Sequence, residues 1–248
     1  HTKITLTGRA PKGEPVLTWR YAPVFGDSVF RVQGAIGGEM VAFWLKNGDR
    51  SPPIPVRGAA NQSFTGLAWQ YVVIGFTHII PLGFDHILFV LGLYFLSSRL
   101  RPLIIQVSSF TVAHTLTLAL SILDLVSISP AIIEPLIAIS IVFVAVENWY
   151  TDRLQPWRPP LIFGFGLIHG FGFAGVLREI NLGTADFATS LIFFNIGVEI
   201  GQLAVIAIAY GALGFWASQK SWYRFRIVRP LTVLMGATGF FWFLDRVL

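Results

Sequence analysis

The sequence predicts a mainly α fold, a polytopic membrane bundle of about six helices preceded by a small extracytoplasmic β segment. Three observations carry that prediction. With 54% hydrophobic and 12% charged residues and a mean hydropathy of +0.66, the chain is too apolar for a soluble domain. Beyond residue 66 it reads as six apolar runs, 67–97, 102–123, 130–149, 160–178, 187–217 and 228–247. Each is long enough, at about 1.5 Å per residue, to cross a hydrocarbon core of roughly 30 Å. Basic residues then concentrate in alternate connections, Arg99/Arg101, Arg153/Arg158 and Lys220/Arg224/Arg226/Arg229, while the others hold Arg178 beside Asp124, Glu179 and Asp186. The positive-inside rule puts both termini on the outer side of the membrane. A chain starting at His1 without an initiator Met fits removal of a signal peptide.

Residues 1–64 form the expected extracytoplasmic segment and 65–248 the membrane domain. The first part alternates charges with strand-like runs, Lys3–Thr7, Val16–Tyr21 and Met40–Leu45, with turn signals at Gly37-Gly38 and Asn47-Gly48-Asp49. Pro52, Pro53 and Pro55 close the last run before the polar linker Asn61-Gln62-Ser63. So small a segment buries little core alone, which makes it a docking element for the membrane domain or for a membrane-protein partner. The net charge of +5 reports loop topology in such a protein, and no nucleic-acid partner is expected. The absence of cysteine excludes disulfides and thiolate ligands, leaving His, Asp, Glu, Asn, Gln and Met for coordination.

Within the first run, Gly75-Phe-Thr-His78-Ile-Ile-Pro81-Leu-Gly-Phe-Asp85-His86 places two imidazoles and a carboxylate in an apolar setting. An ionisable group costs roughly 3 kcal/mol or more at the centre of a spanning helix, so such groups persist where they pair, bind an ion or line a polar path. Pro81 removes a helical hydrogen bond and clashes with the preceding turn, so the helix should break there. In an unbroken helix seven residues span about 10 Å, too far for His78 and Asp85 to share an ion. A break either brings them together or divides them between two stations.

His114, His169 and Glu199 fall near the middle of the second, fourth and fifth runs, and Asn195, Glu199 and Gln202 share one helical face at i, i+4 and i+7. Glycines around His169 and Glu199 let helices approach closely. One intramembrane histidine can simply bond a carbonyl. Every histidine after His1 lies inside a run, and that concentration points to shared metal or proton chemistry. Glu147, beside Trp149, Tyr150 and Arg153, reads equally well as an interfacial anchor. Glu134 and Asp245 sit near helix ends in water, and His1 lacks a second histidine for a copper chelate.

His78-x6-Asp85-His86, His114, the segment Leu167-Ile-His169-Gly-Phe-Gly-Phe-Ala-Gly and the Asn195-x3-Glu199 face resemble the HupE/UreJ family of bacterial integral membrane proteins, over about 67–248. The resemblance implies a bundle of about six helices that moves nickel or a related divalent metal for hydrogenase or urease maturation. The chain departs from the family in its added outer β segment and in having Gly-Phe-Gly-Phe where a His-rich tail sometimes follows the fourth-run histidine.

Neutral imidazole and carboxylate suit nickel, zinc, copper, cobalt or iron, and ligand type alone does not choose among these divalent ions. The expected metal ligands or successive stations are His78, Asp85, His86, His114 and His169, with Glu199 as a further ligand or proton acceptor. Asn195, Gln202 and Glu147 are expected to orient them. The leading expectation is a permease whose His78 and Asp85/His86 stations are staggered in depth. Two others stand beside it: an intramembrane hydrolase whose bound zinc activates water, and an accessory subunit of a larger membrane complex.

Overall fold

The computed structural model describes residues 16–25, 28–33, 40–45, 48–51, 53–55, 64–151, 153–179 and 187–248. Contacts divide the chain into two compact units, the second comprising Leu67–Glu179 and Ala188–Leu248. In the first, β1 (Val16–Leu17) pairs antiparallel with β4 (Ile54–Pro55). Likewise β2 (Ser28–Gln33) pairs with β3 (Met40–Leu45), in a register that sets Phe30 opposite Phe43. Trp19 stacks on Phe30 with ring centroids 5.7 Å apart, and the turn expected at Gly48 has φ +78°, a value natural for glycine. The expected strand Lys3–Thr7, the Gly37-Gly38 turn, the Asn61–Ser63 linker and His1 lie outside the described residues.

The second unit is helical. Its first apolar run divides into α1 (Phe64–Ile79) and α2 (Phe84–Leu96), bent by 73° at the break. Pro81 has no N–H to donate, the Ile80–Pro81 peptide is cis, and Gly83 fits where a Cβ would meet the His78 carbonyl. Then come α3 (Leu100–Ile122), α4 (Pro130–Tyr150), α5 (Arg158–Glu179) and α6 (Phe187–Ala209). A π turn continues α6 into the short α7 (Phe215–Ala217), and a second π turn, Arg224–Val228, leads into α8 (Arg229–Val247).

Among the described residues, four helical stretches are long and apolar enough to cross a membrane: Leu100–Ile122, Pro130–Tyr150, Phe187–Ala217 and Arg224–Val247. The bent pair of α1 and α2 adds a fifth if it counts as one span. Six spans were expected. The remaining expected run is α5. Burial matches a lipid solvent: in α4 the stripe Ile132, Leu136, Ile139, Phe143 and Val146 is exposed, while Ser140 and Asn148 are buried with Ile137, Ile141 and Val144. Apolar groups face out and the polar ones face in, as expected of a multi-pass membrane protein.

Glycines set the closest helix approaches. A Cβ on Gly166 of α5 would meet the Phe110 carbonyl of α3, and one on Gly170 would meet the His114 backbone and Thr117 Oγ1. On α6, Gly197 lies against the Val72 carbonyl, while Gly75 of α1 lies against Phe194. Gly170→Val should therefore lower the thermal midpoint of detergent-solubilised protein through an overpacking cost of about 2 kcal/mol. Gly164→Val, in open space, should leave it unchanged.

Candidate metal centre

The bend places His78, one residue before the end of α1, against the first turn of α2. There Asp85 lies where a helix N-terminus favours an anion, and His86 follows it into the interior. The His78 and His86 ring centroids are 4.8 Å apart; on a continuous helix the two residues would be separated by about 12 Å. The glycine-mediated approach of α5 to α3 supplies two more rings, with His86 4.9 Å from His169 and 5.7 Å from His114. His86, His114 and His169 are all buried. Phe89, Phe110, Phe173 and Phe194 pack edge or face against the four imidazoles and keep the surroundings apolar.

Among the described residues, two groups have ligand-capable atoms within 4.8 Å of one another, His78/His86/His114 and Asp85/His86/His169. His86 belongs to both. The expected stagger is thus corrected: His78 and His86 are neighbours, because the turn at Pro81 replaces helical rise with a fold-back.

Hydrogen bonds define which ring nitrogen is available. Asp85 Oδ1 accepts from the His86 backbone N–H at 2.8 Å and lies 2.9 Å from His86 Nδ1. The carboxylate accepts a hydrogen bond from Nδ1–H, which leaves the Nε2 lone pair free. In His114, Nδ1 lies 3.2 Å from Asn195 Oδ1, and the Asn195 amide is oriented by donating Nδ2–H to the Leu191 carbonyl at 2.8 Å. In His169, Nε2 lies 3.0 Å from Ser140 Oγ. The Ser140 proton already goes to the Ile137 carbonyl at 2.7 Å, so this serine accepts, and His169 keeps its Nδ1 lone pair. The leftover nitrogens, His86 Nε2, His114 Nε2 and His169 Nδ1, are buried without a hydrogen-bond partner, as is His78 Nε2. Buried imidazole nitrogens with free lone pairs, close together and beside a carboxylate, form a donor set that fits a divalent transition metal.

The other expected residues separate. Asn195 touches the cluster through His114. Glu199 belongs to neither group; its Oε1 accepts from Ser108 Oγ at 2.6 Å. Gln202 Oε1 accepts from Thr111 Oγ1 at 3.0 Å. Glu147 lies 3.6 Å from Arg158 Nη2, both side chains being nearly inaccessible. Arg158, read from sequence as a loop charge, is the fully buried first residue of α5. Sequence reasoning missed Ser140, because a serine in an apolar helix ordinarily bonds only its own preceding turn.

The chain matches the family described as HupE / UreJ protein over residues 57–246. No curated protein and no solved structure matches it.

These tautomers can be checked directly. Nitrogen-15 NMR of histidine-labelled, metal-free protein should show His86 and His114 protonated on Nδ1 and His169 on Nε2, and Ser140→Ala should abolish the preference at His169 alone.

Proposed function

The chain belongs to the HupE/UreJ family of membrane proteins, and from that premise we propose that it is a permease for a divalent transition-metal ion of the nickel or cobalt type. The observation that carries this reading is His86, common to both ligand groups. With its Nδ1 held by Asp85, His86 has one nitrogen to offer, so the two groups hold one ion in alternation. An ion held by His78, His86 and His114 would pass to Asp85, His86 and His169 while keeping one ligand throughout. Each group supplies three protein donors, which leaves coordination positions for water and keeps binding weak enough for release. Asn195 and Ser140 fix the rings that would do the ligating, the role that partners of metal-bound histidines perform generally.

In this reading α5 lies in the membrane with the other helices and the bent pair counts as one span, which restores six spans and places both termini outside. Cysteine labelling tests it cleanly, since the chain has no cysteine. Arg226→Cys should react only from the cytoplasmic side and Ser28→Cys only from the outer side. Reaction of both from one side would sink the arrangement, and a re-entrant α1–α2 pair would give that result.

Transport is tested in proteoliposomes loaded with a metal-sensitive dye. Wild type should admit Ni²⁺ or Co²⁺ above empty vesicles, and His86→Ala should lose both flux and bound metal. Loss of His114 or His169 should stop flux while leaving part of the binding, with affinity down by about tenfold or more. Asp85→Asn, whose amide oxygen can still hold His86, should stop flux and retain an ion on the first group. The competing intramembrane zinc hydrolase predicts no flux of any divalent ion and tightly held zinc that Asp85→Asn releases.

A further inference from the structure

A second polar site lies at the other end of the same helices. Arg158 is 0% exposed, yet none of its guanidinium nitrogens makes a hydrogen bond. Its neighbour Glu147 stands off at 3.6 Å from Nη2, beyond hydrogen-bonding range, and neither of its oxygens is hydrogen-bonded. A dry, loose ion pair repays little of its desolvation cost, and it leaves the planar donor fork of Arg158 unmet.

Arg158 lines a cavity of about 250 Å³ together with Arg101, Gln106, Gln155 and apolar Ile105 and Leu154. Gln106 is 2% exposed. Its Nε2 is spent on the Pro102 carbonyl at 3.0 Å, and its Oε1, an acceptor, is likewise unpartnered. Unmet guanidinium donors that suit an anion and one unmet acceptor that suits a hydroxyl thus lie on residues beside the cavity. By helical rise Gln106 is about 12 Å along α3 from His114, and Arg158 about 16 Å along α5 from His169, so this is not the metal centre. Its surroundings place it at a membrane surface. Leu100, Ile104 and Ile105 are exposed apolar residues on one side, and Trp149, Tyr150 and Trp157 are exposed in the manner of an interfacial aromatic belt.

We infer that this cavity binds the phosphate group of an anionic phospholipid whose headgroup carries a hydroxyl, with Arg158 and Arg101 on the phosphate and Gln106 Oε1 accepting from the hydroxyl. Basic pockets between helices at the cytoplasmic surface suit such headgroups, and guanidinium matches phosphate geometry in two-pronged fashion. Glu147 then acts as a competitor for Arg158 and not as its required partner, which sets a sign that a purely structural ion pair would not.

The test is lipid binding to the full chain in detergent by native mass spectrometry, titrating phosphatidylglycerol against phosphatidylcholine. Wild type should prefer phosphatidylglycerol by about tenfold. Glu147→Gln, which frees Arg158, should tighten phosphatidylglycerol binding; weaker or unchanged binding would overturn the proposal. The double variant Glu147→Gln/Arg158→Gln removes both charges without stranding either, and should abolish the preference. Arg101→Gln, at an exposed residue whose loss the fold tolerates, should weaken binding about threefold. Equal affinity of wild type for the two lipids, or a preference that survives both the double variant and Arg101→Gln, would refute the site. Inorganic phosphate separates the sources: its failure to displace phosphatidylglycerol at equal concentration supports a lipid, and ready displacement overturns the lipid assignment.

Discussion

A helix running unbroken through residues 64–96 would carry His78 and His86 about 12 Å apart; the break after Ile79 sets their rings 4.8 Å apart. Everything else in the cluster is arranged around that fold-back. It turns one apolar run into two helices bent by 73° and brings the first turn of α2, with Asp85 and His86, beside the end of α1. The break is cheap at this position because Pro81 could not have continued the ladder in any case. It is tolerable in a membrane because the freed backbone groups find other partners: the Ile80, Leu82 and Gly83 amides all bond carbonyls of the last turns of α1.

Small residues perform the complementary task. Gly166 and Gly170 let α5 lie against the backbone of α3 around His114, and without that approach His169 would not reach His86. The same crossing is surrounded by phenylalanines, so the centre is at once crowded and walled by apolar rings. In such a setting a hydrogen bond is strong and an unmet polar atom is costly. Each ring whose tautomer is defined spends one nitrogen on a local acceptor, Asp85, Asn195 or Ser140, and presents the other inward. The acceptors come from three different helices, and each is itself committed to its own backbone.

The two polar regions of the bundle therefore differ in kind. Around His86, neutral rings and one carboxylate collect lone pairs. Around Arg158, donors and acceptors of both signs lie unpaired beside a cavity. At the end of α4, in contrast, Arg224 is hydrogen-bonded: its Nη2 donates to the Asn148 and Thr151 carbonyls and so caps the C-terminus of that helix.

Composition alone determined the solvent of this protein, because a mean hydropathy of +0.66 leaves too few polar groups to cover a water-soluble surface. The break at Pro81 was likewise legible, since proline chemistry is a local property. Membership of the cluster was not. Asn195, Glu199 and Gln202 share one face of α6, yet only Asn195 touches a histidine, while Glu199 finds Ser108 and Gln202 finds Thr111. Helical periodicity says which residues share a face; the rotation and tilt of the neighbouring helix decide which of them meets a given ring. For the same reason Glu147 and Arg158, assigned from sequence to an orienting role and to a loop, turned out to be a buried pair remote from the imidazoles. Only tertiary structure could decide that, because the approach of α5 to α3 and the fold-back of α2 are set by contacts between segments that periodicity within one segment does not encode.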